Sequence, residues 1–283
     1  TSEIACFNVE SLPELMRINE LAETIGKTAR VAFRINPNVD AGTHAKITTG
    51  LNENKFGISL DDTIDAVKHA RQLPNIELCG LHFHIGSQIL NFVVFENLCK
   101  RVNDLQDTLE KAGVFVKSIN MGGGLGIDYQ NPKDHPIPPF AEYFGIFKKH
   151  LCLRPEQELH FELGRSVVGQ CGSLIARTLF VKQGKTKKFV ILDAGFTDLI
   201  RPAMYGAHHY TENLTASLDS ASEVYDVVGP ICESSDVFSK DELLPVTRRG
   251  DLIAFRSAGA YGEVMASSYN CRSLPNSYFS SEM

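Results

Sequence analysis

The sequence predicts a parallel α/β fold, specifically a (β/α)8 barrel of the TIM type, followed by an all-β region. Three observations carry that reading. Apolar strand-like runs alternate with helical periods as far as Leu163, the pattern of a parallel sheet. Polar and glycine-rich residues fall just after the strand-like runs, in His84-Ile85-Gly86-Ser87-Gln88, Gly122–Gly126 and Gly164-Arg165, where parallel α/β folds place their sites. Beyond Ser166 the helical period all but disappears, and apolar runs are joined by turns such as Gln183-Gly184-Lys185.

The elements follow in order. Ala5–Val9 is a short apolar run fit for a buried strand. Ser11, with Glu14 three residues on, forms a capping box, and Leu12, Leu15, Ile18, Leu21, Ala22 and Ile25 recur at helical spacing until Gly26. Ala29–Ile35 is strand-like and stops at Pro37; a polar loop then runs through His44, Lys46, Lys55 and Gly57. Asp61 to Leu73 reads as a helix halted by Pro74, Glu77–Ile85 as a strand, and Phe92–Ala112 as an amphipathic helix closed by Gly113. Val114–Met121 is a strand ending in three consecutive glycines, a Pro-rich loop leads to a helix at Phe140–Leu151, and Glu158–Leu163 is the last strand of the series. In the second part Leu174–Val181, Phe189–Leu192, Val224–Val228 and Leu252–Ser257 read as strands. The expected division is a partial barrel over residues 1–168 and a β-domain of Greek-key or sandwich type over 169–283. The single helices between strands favour a barrel over an open sheet, and the glycine turns would then follow strands seven and eight, where barrels bind phosphate. A complete barrel takes roughly 250 residues, so the natural protein is expected to extend N-terminally with the first three strands.

Composition excludes several classes. With 43% hydrophobic and 22% charged residues in 283, the chain is a globular protein able to bury a core. A net charge of −6 gives no footprint for nucleic acid or an anionic membrane. No apolar run approaches a membrane span. The seven cysteines are scattered without a C-x-x-C pair, which reads as reduced thiols in a cytoplasmic protein.

Several constellations could carry chemistry. Gly122-Gly123-Gly124 after a strand is a natural anion cradle, because glycine has no Cβ to hold a ligand off the backbone N–H groups. His82 and His84 share one face of a strand end; hydrogen-bonded barrel histidines, H-x-H metal ligands and an imidazole stacked on a flat cofactor all remain open. Metal ligation needs further partners at other strand ends, where glycines stand instead. Glu162 and Arg165 put a carboxylate and a guanidinium at one strand end, either as an internal ion pair or with Arg165 meeting a phosphate or carboxylate. Cys232 sits after a Gly229-Pro230 break among acids, a setting that favours a thiol proton donor over a thiolate nucleophile. Arg201, Tyr205 and Tyr261 are polar handles in Gly-rich, apolar surroundings.

Taken together, Phe7–Ser11, Asn54–Gly57, Gly80–Gln88, Gly122–Tyr129, Glu162–Arg165, Asp193–Gly195, Cys232–Asp236 and Gly259–Gly262 resemble the fold-type III pyridoxal-phosphate decarboxylases over nearly the whole chain. Within that family the resemblance is to the branch that decarboxylates meso-2,6-diaminopimelate to L-lysine. It implies pyridoxal 5′-phosphate as cofactor. His84 would stack on its ring and Glu162 would pair with the ring nitrogen. Ser87, Gly123, Gly124, Gly164, Arg165 and Tyr261 would surround its phosphate. Arg165, Arg201, Tyr205 and Tyr261 would contact the amino-acid substrate, the first three at its distal carboxylate, and Glu233 would meet its distal ammonium. Cys232 would return a proton to the α-carbon. The family also implies a homodimer with shared active sites, since the Cys-Glu-Ser-Ser-Asp segment enters from the partner. Two departures stand out. Leu163 replaces the proline of the usual Glu-Pro-Gly-Arg. No Tyr-Ala-x-Lys-Ala type segment is present, and Lys27, Lys46 and Lys55 do not match the family's cofactor-anchoring lysine, so these 283 residues alone are expected to show little turnover. The alternatives are a related decarboxylase of ornithine, arginine or carboxynorspermidine, a non-catalytic regulatory homologue, and a metal-dependent hydrolase using His82 and His84. Glu233, where the diamine-forming relatives carry aspartate, together with Arg201 favours a substrate with a charged distal carboxylate.

Overall fold

A computed structural model describes residues 4–40, 55–217 and 219–282. His44, Lys46 and Asn54 of the sequence reading lie outside the described residues. The chain forms two compact units: Thr1–Gly126 with Pro139–Leu163, and Ile127–Pro138 with Gly164–Met283.

The first unit is α/β. Its elements are β1 (Phe7–Val9), α1 (Leu12–Thr24), β2 (Ala29–Asn36), β3 (Ile58–Ser59), α2 (Thr63–Ala70), β4 (Ile76–Phe83), α3 (Val93–Lys111), β5 (Ser118–Asn120), α4 (Phe140–His150) and β6 (Glu158–His160). The main ladder runs β1-β2-β4-β5-β6, every pairing parallel, with β3 joined to the end of β2. Apart from β3 each strand lies beside its predecessor, so the winding never reverses as a doubly wound sheet does. That is the winding of a β/α barrel.

Local chemistry accounts for the elements. Ser11 caps α1 by accepting from the Glu14 N–H at 3.3 Å, while the Glu14 carboxylate reaches back to the Glu10 N–H at 2.7 Å, a capping box displaced by one residue. On α3, Phe95, Leu98, Val102, Leu105 and Leu109 are all buried against the sheet, each contributing about 1.5–3 kcal/mol by leaving water. Phe161, just past β6, packs edge-on against Tyr143, Phe144 and Phe147 at 5.8, 5.0 and 5.0 Å. This aromatic cluster anchors the strand end next to Glu162. Leu163 packs against the same core, so the residue that replaces the family's proline is used as an apolar anchor.

Three boundaries differ from the sequence reading. The strand expected from Val114 pairs only from Ser118, although Val114 and Val116 are buried. Strands β4 and β6 stop at Phe83 and His160, which leaves His84–Gln88 and Phe161–Leu163 as the loops that carry side chains outward. The two-residue β3 was not anticipated; it is too short to show a period.

The second unit contains α5 (Arg165–Val168), β7 (Leu174–Gln183), β8 (Lys188–Leu192), α6 (Arg201–Tyr205), β9 (Thr211–Asn213), β10 (Ser222–Val228), β11 (Val237–Pro245) and β12 (Leu252–Phe255). Its strands make one six-stranded ladder, β11-β10-β8-β7-β12-β9, antiparallel except where β10 meets β8. Ala176, Val190, Leu192, Tyr225, Val227, Phe238 and Phe255 form its core, with Phe238 and Phe255 stacked at 4.3 Å. The unread strands β9 and β11 are the two end strands of the ladder. Their Thr-Glu-Asn and Lys240-Asp241-Glu242 sequences follow from that position, since an end strand carries charge to discourage further pairing. Among the described residues no helix is long and apolar enough to cross a membrane.

Candidate functional site

In the first unit the C-terminal ends of β4 and β5 meet a carboxylate on the loop after β6. Glu162 Oε2 lies 2.9 Å from His82 Nε2, and Glu162 Oε1 accepts from the Asn120 amide at 2.9 Å. The Glu162 N–H donates to the Gly122 carbonyl at 2.8 Å. The hydrogen bond from His82 is the largest influence on Glu162, ahead of the opposing cost of burial, and the carboxyl is held well below the usual range, at about 2. His82 is buried while the Glu162 side chain is 45% exposed, so the carboxylate is gripped from behind and open in front. Because His82 Nε2 faces a carboxylate, that nitrogen carries the hydrogen. His82 Nδ1 is buried without a hydrogen-bond partner among the described residues.

His84 comes to the same place: the Gly123 N–H donates to its Nδ1 at 3.3 Å. Burial first, then the positive Arg34, pushes its pKa down to about 4, leaving a flat neutral imidazole at neutral pH. The three glycines serve a use the sequence did not reveal. A Cβ on Gly123 would lie 2.3 Å from the Glu162 carbonyl oxygen, and Gly124, at φ +114°, would bring one within 2.8 Å of the Gly86 carbonyl oxygen. Glycine is needed there so that the three loops pack backbone against backbone. The Gly122 N–H donates to Asn120 Oδ1 at 2.9 Å, so the N–H groups of Gly122 and Gly123 are engaged within the protein. Ser87 is half-buried on the loop after β4, whose Ile89 pairs with Gly124 and Gly126.

In the second unit two guanidinium groups, those of Arg165 and Arg201, are both buried. Tyr129 separates them. Its hydroxyl accepts from Arg165 Nη1 at 2.6 Å, and the Arg201 guanidinium lies 4.3 Å from its ring centroid. Arg165 also stacks at 4.7 Å on Tyr261. Tyr261 holds a left-handed φ of +56°, a conformation costing a non-glycine residue about 1–3 kcal/mol. Arg201 donates to His209 Nε2 at 2.7 Å, and His209 Nδ1 donates to the Arg256 carbonyl at 2.8 Å. Tyr205 lies within electrostatic reach of Arg201, whose pKa is lowered chiefly by burial. Among the described residues no carboxylate lies within ion-pair distance of Arg201, and a buried cation without an acid calls for an anion from outside.

Cys232 and Glu233 occupy the turn between β10 and β11 and are exposed. The turn is pinned by buried Asp236, which accepts from the Ile231 and Phe196 N–H groups, both at 2.7 Å. Among the described residues no hydrogen bond or ring contact joins Cys232 or Glu233 to the arginine cluster. Gly164 immediately precedes α5.

Most of the expected residues are thus gathered into these groups: His84, Gly123, Gly124 and Glu162 in the first unit, and Arg165, Arg201, Tyr205 and Tyr261 in the second. Sequence reasoning missed Asn120, Tyr129 and His209, and left His82 among three readings. Within its own unit the Glu162 carboxylate is engaged by His82 and Asn120. Among the described residues no group of three His, Cys, Asp or Glu is placed to hold a metal ion. The donor set fits the cofactor the resemblance implies. An ionised, half-open carboxylate suits a cationic ring nitrogen, a neutral imidazole suits a flat ring, and buried guanidinium groups suit phosphate and carboxylate.

Comparison with known proteins points the same way. Residues 1–169 match the family model of the pyridoxal-dependent decarboxylase pyridoxal binding domain, and residues 92–259 that of its C-terminal sheet domain. The chain is 61% identical over 280 residues to diaminopimelate decarboxylase of Bacteroides thetaiotaomicron, covering 99% of this chain and 72% of the relative. It is 44% identical over 269 residues to the enzyme of that name from Neisseria meningitidis serogroup B, covering 95% of this chain and 64% of the relative. The crystal structure of diaminopimelate decarboxylase from Helicobacter pylori, complexed with L-lysine, superposes with a TM-score of 0.87 at 39% identity, over 94% of this chain and 66% of that one. The chain therefore spans about two thirds of the length of the relatives it matches.

Proposed function

This chain belongs to the diaminopimelate decarboxylase family of pyridoxal-dependent decarboxylases, and on that premise we propose that it serves the decarboxylation of meso-2,6-diaminopimelate to L-lysine with pyridoxal 5′-phosphate. The observation that carries this reading is the Glu162 carboxylate, held ionised by His82 and Asn120 beside His84 and the triglycine turn.

When bound, the cofactor supplies a protonated pyridine ring that takes up the electron pair left on the α-carbon as CO2 departs. Glu162 would pair with that ring nitrogen and keep it protonated by accepting its hydrogen. His84, a neutral imidazole beside Gly123, would stack on the ring. Ser87, Gly123, Gly124, Gly164, Arg165 and Tyr261 would surround the phosphate. Arg165, Arg201 and Tyr205 hold the substrate's distal carboxylate, with Tyr261 also in contact, and Glu233 holds the distal ammonium. Cys232 would return a proton to the α-carbon. The exposure of Cys232 and Glu233 on a pinned turn supports a twofold homodimer in which this turn enters the partner's active site. The free thiols, including Cys6 and Cys79 with sulfurs 3.2 Å apart, support a reducing compartment such as the cytoplasm.

The test is CO2 release from meso-2,6-diaminopimelate by the full-length protein. Glu162→Gln should lower kcat about 100-fold or more, in the range of other electrostatic deletions at reacting centres, while unchanged turnover would refute the reading. A diamine-forming activity would show as turnover of ornithine or arginine, which Arg201, with no carboxylate in ion-pair distance among the described residues, disfavours. The 283 residues carry no lysine in the family's setting. Borohydride should therefore fix no cofactor to this polypeptide, and a fixed adduct with turnover would overturn that part.

A further inference from the structure

The second unit contains a polar chain that the roles above do not use. The Arg256 carbonyl accepts from His209 Nδ1, and His209 Nε2 accepts from Arg201 Nη1, at 2.8 and 2.7 Å. We propose that His209 is a positioning residue that sets substrate specificity, by fixing the Arg201 guanidinium for a second carboxylate. This rests on the reading of Arg201 as the distal-carboxylate ligand.

The chemistry allows one tautomer only. A guanidinium has no acceptor and a carbonyl no donor, so Nδ1 must carry the hydrogen and Nε2 must be the bare lone pair. The surroundings keep it so: burial, then the charges of Arg201, His208 and Arg165, outweigh the Arg256 hydrogen bond and lower the His209 pKa to about 4. The ring is also wedged edge-on against Tyr129 at 5.2 Å, whose face carries Arg201 at 4.3 Å. Arg201 is thus held by a neutral acceptor and a π face. Neither cancels its charge, whereas an aspartate or glutamate at position 209 would. A neutral clamp leaves the cation for an incoming anion.

A positioning role of this kind predicts a split between KM and kcat, because the distal carboxylate is bound equally in the ground state and the transition state. In the full-length holoenzyme, His209→Met, which fills space without accepting, should raise KM for diaminopimelate about ten- to hundredfold, the value of a hydrogen bond to a charged group, with kcat within about threefold. The inhibition constant of 1,5-diaminopentane, which lacks the distal carboxylate that L-lysine would retain, should stay within about threefold, because its binding does not draw on Arg201. His209→Gln, near-isosteric with the Met variant but able to accept from Arg201, should recover most of the loss. Equal weakening of both ligands, a fall in kcat alone, or a Gln variant no better than Met would overturn the proposal. Arg201→Leu separates the two layers: if it too spares the discrimination, the reading of Arg201 fails, and if it alone destroys it, only the His209 proposal fails. Should the Met variant not fold, ¹⁵N NMR of the wild type decides. The His209 Nε2 signal should be that of an unprotonated nitrogen and should move with pimelate but not with hexanoate; no response to pimelate would overturn the proposal.

Discussion

His82→Leu is the perturbation that most directly probes the carboxylate grip. His82 supplies both the largest influence holding the Glu162 carboxyl down and a charge–charge contribution, with Asn120 adding a smaller hydrogen bond. A full return from about 2 to the ordinary 4.5 would correspond to about 3.4 kcal/mol at 1.36 kcal/mol per unit. The Glu162 side chain is 45% exposed, so solvent screening reduces that to roughly 1–2 kcal/mol. Leucine fills most of the ring's space, and it removes a buried Nδ1 that has no hydrogen-bond partner among the described residues. Most of the change should therefore come from the lost hydrogen bond. The folded value lies below the unfolded one, so the stabilisation is fully present above about pH 4.5 and is lost as pH falls from there through about 2. Carbon-13 NMR of the cofactor-free protein should show the Glu162 midpoint rising by about one unit or more in the variant, as the loss of its largest stabilising partner requires. Urea unfolding should show a stability gap at pH 6 that closes towards pH 2. An unmoved midpoint, or a gap independent of pH, would refute the reasoning.

Three further outcomes follow from contacts already described. Gly123→Ala drives a Cβ to 2.3 Å from the Glu162 carbonyl oxygen, which backbone cannot yield, so urea unfolding should show a loss of about 2 kcal/mol or more. Tyr129→Phe keeps the ring beneath Arg201 but removes the acceptor 2.6 Å from Arg165 Nη1; a loss of about 1.5–3 kcal/mol is expected by denaturation, and a neutral result would show that water replaces the hydroxyl. Asp236→Ala leaves the Ile231 and Phe196 N–H groups without their acceptor, costing about 1–3 kcal/mol. Hydrogen exchange should quicken across residues 231–236 while the β7–β8 pairing keeps its protection.

The first unit was legible because its longer strands carry buried apolar stretches, as Val31–Phe33 does within β2, and amphipathic helices separate them. The second unit was only half legible. β11 carries Lys240-Asp241-Glu242, where a positive φ at Asp241 and a register shift against β10 break the alternation, and β9 is only three residues long, so neither shows a clear hydrophobic period.

The site shows the same limit in another form. Glu162, His84 and Arg165 stand out because a charge or imidazole at a strand end breaks an apolar run. His82, Asn120, Tyr129 and His209 do not, because what makes them matter is a partner far along the chain: 80 residues from His82 to Glu162 and 42 from Asn120 to Glu162. A single sequence holds no record of such pairs, and their residue types are each common in structural roles. The triglycine illustrates the point from the other side. Its sequence suggested N–H groups waiting for an anion, whereas two of those N–H groups are engaged by Asn120 and His84 and the missing Cβ atoms are missing for the sake of neighbouring carbonyls. The glycines therefore act on the chemistry through Glu162: by letting the β5 and β6 loops close to backbone contact, they place its carboxylate between His82 and Asn120, and it is that placement, more than any direct cradle, that a Cβ would destroy.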